Sequence, residues 1–271
     1  MKSQSVFVTL IWLIILTLTL QGAGFADNIP DELGQVEAEL DVNTPMFWIW
    51  NEDLELLQGS ADPDTEMIYL ASLTKAYTLN AFMKNFKSEI TISVDTPYNY
   101  SKVKIGDTIS YVDAITALLV RSCNTVAENM LDEPPKEGFV SSSGLPVEID
   151  GVRYENMDTP TNVLNAFVEN ENLIEIYERI YDGRFGHTTY RKWTVYEDLN
   201  FCFIKTGFTN QAGRCVFIKT NHHYFLFVGW KKHSDLVRDS ISMVRMYEKD
   251  HDPCDLKSLG KAYIKEAPSQ E

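Results

Sequence analysis

Basic residues are scarce in this chain: 24 Lys and Arg stand against 39 Asp and Glu, a net charge of −15. Holding a phosphate backbone needs a cationic surface, so nucleic acid is excluded as a partner. A polybasic patch for anionic lipid is excluded on the same ground. Metal-ligand spacing is missing too. The five histidines and four cysteines contain no Cys-x-x-Cys and no His-rich cluster, so no metal and no other cofactor is expected. No internal repeat or low-complexity tract interrupts the chain. Beyond residue 26 no apolar run is long enough to span a bilayer, and no transmembrane anchor is expected once the N-terminus is removed.

What is present describes a globular protein, with 44% hydrophobic and 12% aromatic residues in 271 positions. Lys2, the apolar run Val6 to Leu20 and the small residues around Gly24-Phe25-Ala26 read as a secretory signal peptide over 1–26. The mature chain is then exported, periplasmic or secreted. It is expected to be a single domain over 27–250 followed by a polar tail, 251–271. Export permits disulfides among Cys123, Cys202, Cys215 and Cys254. Cys202 with Cys215, flanking a turn, is the candidate pair; the alternative is that all four are reduced and packed.

Met46 to Trp50 and Leu54 to Leu57 read as the strands of a hairpin, with Trp48 and Trp50 on a sheet face. The run after Ser72 reads as a helix, with Leu79, Phe82, Met83 and Phe86 as its apolar positions. Residues 88–111 read as short strands and loops. Helical periodicity from Ile109 to Leu131 breaks at Arg121 to Thr125, a polar loop between two helices. Asp158-Thr159-Pro160-Thr161 starts a helix with a threonine or aspartate cap. Strands follow at 199–205, 214–220 and 224–230. An amphipathic helix over 234–248 carries Leu236, Val237, Ile241, Val244 and Met246. Neither strand set makes a good sheet alone. The expected fold is therefore α+β: one antiparallel sheet joining 27–70 to 190–250, with a mainly helical lobe, 71–189, inserted.

Three short motifs carry the chemistry. Ser72-x-x-Lys75 places a hydroxyl and an amine one helical turn apart, so the lysine can take the serine's proton. Ser122-Cys123-Asn124 lies in the loop between helices. Lys205-Thr206-Gly207 ends a strand. Cys123 is a small packing residue here. His222 and His223 are hairpin-turn residues, His187 and His251 lack partners, and Arg238 is structural or a carboxylate ligand.

The order Ser-x-x-Lys, Ser-x-Asn, Lys-Thr-Gly is that of penicillin-binding proteins and serine β-lactamases. The fuller phrases Ala71 to Lys75, Lys205 to Gly213 and Ser143-Gly144-Leu145 with Thr159-Pro160 resemble the serine-type D-alanyl-D-alanine carboxypeptidases. The resemblance covers roughly 45–250. It implies catalysis by Ser72 as nucleophile, Lys75 as base and Ser122 as proton relay. It also implies substrate binding by Asn124, Lys205, Thr206, Gly207 and Phe208, with the Ser72 and Phe208 amides as oxyanion hole. The implied partners are a peptidoglycan stem peptide as substrate and β-lactams as covalent inhibitors. Cys123 stands where the family usually has glycine, and the stretch between Asn129 and Ser141 is short. A DD-endopeptidase with the same site, or a non-catalytic binder, are the competing readings.

Overall fold

The computed structural model describes residues 44–97, 101–174, 199 and 201–249. The expected signal peptide and C-terminal tail lie outside the described residues, as do His187, His251 and Cys254.

Five strands form one sheet: β1 (Met46–Asn51), β2 (Leu56–Gly59), and, from the far end of the chain, β9 (Phe201–Thr209), β10 (Gly213–Thr220) and β11 (His223–Trp230). Their order is β2-β1-β11-β10-β9, and each neighbouring pair is antiparallel. β1 is thus an inner strand, with Phe47 opposite Phe227 and Ile49 opposite Phe225. The two ends of the chain build the sheet together, as the patterning predicts.

All eight residues of β11 are buried, which explains why Tyr224 to Trp230 is a continuous apolar run with little alternation. On one face Ile49, Ile204, Val216, Ile218, Phe225 and Phe227 pack with Leu236 and Val244 of the last described helix, α5 (His233–Tyr247). Met246, expected on that stripe, is 71% exposed. Val237, Ile241, Met243 and Tyr247 lie against the core instead. Position 246 is two residues past Val244, about 200° around the helix, and so points away.

The other face carries Phe203 and Phe217. Both rings stack with Phe167, at 5.9 and 4.0 Å between centroids. Phe167 belongs to α4 (Pro160–Val168), whose first turn is capped by Thr159, its hydroxyl accepting from the Asn162 amide. α1 (Lys75–Lys84) is buried on most sides through Ala76, Leu79 and Phe82. Phe86, just past its end, is 52% exposed. α2 (Tyr111–Leu119) is capped by Ser110, and α3 (Asn124–Met130) follows after the expected break. The expected helix start at Ile109 falls instead in a strand, β5 (Thr108–Ser110), paired with β4 (Glu89–Thr91). Two further small sheets complete the lobe: β3 (Ile68–Tyr69) with β8 (Met157–Asp158), and β6 (Val147–Ile149) with β7 (Val152–Tyr154). No helix of the described residues is long and apolar enough to cross a membrane.

The expected Cys202–Cys215 bridge is wrong. Cys215 and Cys123 carry thiols, whereas Cys202 is disulfide-bonded. In the β9–β10 pair Cys215 faces Gly207, and Phe201 faces Thr220. Cys202 therefore sits five residues along the strand from Cys215's partner position, roughly 17 Å. A bridge needs Cα atoms within about 7 Å. The two cysteines are not equidistant from the Asn210 to Ala212 turn, and register decides the question.

Candidate active site

The chain enters the site through β3. Leu70 N donates to the Asn156 carbonyl at 3.0 Å, next to the β3–β8 pair. Ala71 then takes φ of +45°, a left-handed conformation rare without glycine. A 3-10 turn, Ala71–Thr74, leads directly into α1. Ser72 thus lies on this tighter turn, just ahead of the α-helix in which the spacing places it; such turns are common at helix starts. Ser122 is a second non-glycine residue in left-handed backbone, at φ +51°. Each such residue costs on the order of 1–3 kcal/mol, and both stand beside the motif hydroxyls.

Lys75 is fully buried. Its Nζ lies 3.0 Å from Ser72 Oγ, 2.8 Å from Asn124 Oδ1 and 2.6 Å from the Ser143 carbonyl oxygen. Asn124 is oriented by its Nδ2, which donates to Pro97 O at 3.2 Å. Lys205, also fully buried, donates to Ser122 Oγ at 2.8 Å and to the Thr206 carbonyl at 3.1 Å. The third side of the triangle closes on backbone. A Cβ at Gly207 would stand 3.0 Å from Ser72 N and 3.1 Å from Cys215 Sγ, so a side chain there would press β9 and the Ser72 turn a few tenths of an ångström apart. First, second and third motif are each in contact with the other two.

Phe208 is 53% exposed beside Gly207. The Arg214 guanidinium, directly across the strand pair, lies 4.7 Å from its ring centroid. Arg214 Nε is buried without a hydrogen-bond partner among the described residues. Behind β9, Glu155 is a buried carboxylate. It accepts from Thr209 Oγ1 at 2.5 Å and from Arg153 Nε and Nη2 at 3.1 and 2.8 Å. Burial pushes the Cys215 thiol up to about 12, against the pull of Lys205 and with the push of Glu155. Cys215 is therefore a neutral packing group at physiological pH, and Cys123 is equally inaccessible.

The 139–145 loop packs against the Ser72 turn and α1. Asn156 Oδ1 accepts from the amides of Val140 and Ser141, and its Nδ2 donates to Ser141 O and Thr74 Oγ1. Thr78 Oγ1 donates to Ser142 O at 2.5 Å. Gly144 has φ of +80°, and a Cβ there would lie 1.8 Å from Ala71 O. Sequence reasoning marks Ser143-Gly144-Leu145 only through the resemblance, and misses the Ser143 carbonyl, Asn156, Thr78 and Glu155. A backbone acceptor leaves no mark in a motif, and the three side chains lie outside the motif spacings. Arg238 is exposed, paired with Asp235 and Asp239 on α5, and the histidines of the β10–β11 turn pair with Glu52 and Glu248. Among the described residues no cluster of His, Cys, Asp or Glu could hold a metal.

No protein-family model matches this sequence, and no curated protein does. Solved structures do. Penicillin-binding protein D2 from Listeria monocytogenes in its ampicillin-bound form is 18% identical, with a TM-score of 0.55 over 77% of this chain and 97% of that one. The D-alanyl-D-alanine carboxypeptidase from Mycobacterium tuberculosis gives a TM-score of 0.61 at 12% identity, over 85% and 94%. DacD, the D-alanyl-D-alanine carboxypeptidase from Francisella tularensis, gives 0.55 at 14%, over 76% and 70%. Sheet order, inserted lobe and these matches together identify the fold as that of the penicillin-binding proteins and D-alanyl-D-alanine carboxypeptidases.

Proposed function

We propose that the chain is an exported serine DD-peptidase that removes the terminal D-alanine of peptidoglycan stem peptides through an acyl-enzyme on Ser72. The observation that carries the reading is the position of Lys75 Nζ, between Ser72 Oγ and Asn124 Oδ1 in a fully buried setting. Burial and a second buried ammonium, Lys205, both disfavour a charged amine. A neutral Lys75 has two N–H groups and one lone pair. Asn124 Oδ1 and the Ser143 carbonyl are pure acceptors and take the two protons, which leaves the lone pair for the Ser72 hydroxyl.

Ser72 Oγ then attacks the carbonyl between the two D-alanines. The amide of Ser72, held against Gly207, and that of Phe208 are the donors that suit the developing oxyanion. As the C–N bond breaks, Ser122, hydrogen-bonded to Lys205, gives its hydroxyl proton to the leaving amine and is refilled by the proton that Lys75 took from Ser72, which leaves Lys75 neutral again. Lys205 and Thr206 attract the terminal carboxylate of the peptide. Water then attacks the ester, Lys75 takes its proton, and the same proton returns to Ser72 Oγ as the ester bond breaks and the shortened peptide leaves. A β-lactam enters by the same first step, its ring nitrogen as the leaving group.

The test is labelling with a fluorescent penicillin, followed by assay on diacetyl-Lys-D-Ala-D-Ala. Label on the wild type but not on Ser72→Ala or Lys75→Ala, with D-alanine released, is the expected result. Residues 131–140, the segment beyond α3, hold no helix or strand. A bulky leaving group is therefore tolerated on that side more easily, and a cross-linked muropeptide belongs in the same assay. Label without D-alanine release but with cross-link cleavage makes it an endopeptidase. No label on any form removes the reading.

A further inference from the structure

We infer that Glu128 is a positioning residue for Lys75, acting through the Ser143 carbonyl. Glu128 and Asn124 stand four residues apart on α3, on one helix face. Asn124 reaches Lys75 Nζ directly. Glu128 reaches it through the loop: Oε1 accepts from Ser143 N at 2.9 Å and Oε2 from Ser142 N at 3.2 Å. One carboxylate thereby grips two successive amides of the residue pair whose carbonyls point at α1. Ser142 O accepts from Thr78 Oγ1 at 2.5 Å, and Ser143 O from Lys75 Nζ at 2.6 Å. Both acceptors of a neutral Lys75 are thus tied to one helix face, Asn124 directly and the Ser143 carbonyl through the peptide that precedes it, and the direction of the lone pair follows from them.

The carboxylate is suited to this and its amide is not. Two ionised oxygens accept two N–H donors, in charge-assisted bonds. In Glu128→Gln one oxygen becomes an NH2, which faces a donor with a donor and leaves one loop amide unpaired. The Ser142–Ser143 peptide then loses its anchor, and the Ser143 carbonyl, in the next peptide unit, is held only from the far side, where Gly144 N donates to Ser141 Oγ at 3.1 Å, so the second acceptor of Lys75 is loosened.

The inference rests on the acyl-enzyme reading, and two measurements keep the two separable. In full-length protein with ¹³C,¹⁵N-lysine, Glu128→Gln should shift the Lys75 Cε and Nζ resonances, whether or not the protein is active. In penicillin acylation, Glu128→Gln should lower the limiting acylation rate about 10- to 100-fold while the dissociation constant of the pre-acylation complex stays within about twofold. Glu128→Asp, which keeps the charge and one of the two bonds, should lie between. Unmoved Lys75 resonances in a variant of unchanged thermal midpoint overturn the inference, as does a limiting rate equal to wild type. A loss shared equally by rate, affinity and thermal midpoint overturns it in favour of a merely structural role. Absence of labelling in the wild type defeats the acyl-enzyme reading alone, and the resonances still decide for Glu128.

Discussion

Cys215 shows how a residue can stand beside the third motif, opposite Gly207, and serve only as packing. Its thiol ionises near 9.0 when exposed and is pushed up to about 12 by burial in the fold. The unfolded chain therefore gives up this proton first. Below pH 9 the difference contributes nothing; as pH rises from about 9 towards 12, it favours the unfolded state progressively. Tyr77 and Tyr224, also raised by burial, act in the same direction at still higher pH. The cause at Tyr77 is burial first, then the Asp158 carboxylate to which its hydroxyl donates at 2.9 Å. Urea midpoints taken between pH 8 and 11 should fall for the wild type, and fall less steeply for Cys215→Ala. Parallel slopes would contradict the burial of the thiol. The residues that speak through their own chemistry, Ser72, Lys75, Ser122, Asn124 and Lys205, were legible in the sequence because their spacing carries them. Those that act by holding backbone, Glu128 and Asn156, were not, since nothing in a sequence marks which amide a carboxylate or carboxamide will meet.

At the scale of elements, the site depends on two close approaches of backbone. β9 touches the Ser72 turn at Gly207, and the 139–145 loop touches it at Gly144. Gly144 is the stricter of the two, since its left-handed φ and its contact with Ala71 O each exclude a side chain. Gly144→Ala should therefore cost about 2 kcal/mol or more in urea unfolding, and lower the acylation rate further than the stability loss explains. A variant with unchanged stability and labelling would show that the loop need not lie where it does. The strands and helices themselves follow from pattern, and their edges do not. The β9–β10 register, which decides whether Cys202 can meet Cys215, depends on a turn whose geometry no alternation of side chains specifies. The short pairs β3–β8 and β6–β7 were likewise invisible: two or three residues are too few to show a period.

For the whole molecule, sheet and lobe are joined at the site rather than merely adjacent to it. Phe167 of α4 stacks on Phe203 and Phe217 of the sheet, and Lys205 of β9 meets Ser122 of the lobe. Separation of the two parts would bare a buried ammonium and an aromatic stack at once. Urea unfolding followed by tryptophan fluorescence, which reports on the buried Trp48 and Trp50, should coincide with loss of penicillin labelling. A labelling loss that clearly precedes the fluorescence change would show the lobe opening on its own. The division into an end-built sheet and an inserted lobe was readable because neither strand set could bury both its faces alone. Their meeting where the three motifs converge was readable from those motifs; the stacking of Phe167 on Phe203 and Phe217 was not, because it joins residues far apart in sequence.

The inner position of β1 carries a consequence for the order of events in the cell. Its neighbour on one side, β11, is the last strand described, so Phe47 waits for Phe227. β2 can pair with β1 at once as a hairpin, but a ribosome must reach the last described strand before the other edge of β1 is covered. The sheet is therefore closed last, and Lys205 of β9 can reach Ser122 of the lobe only once those late strands exist.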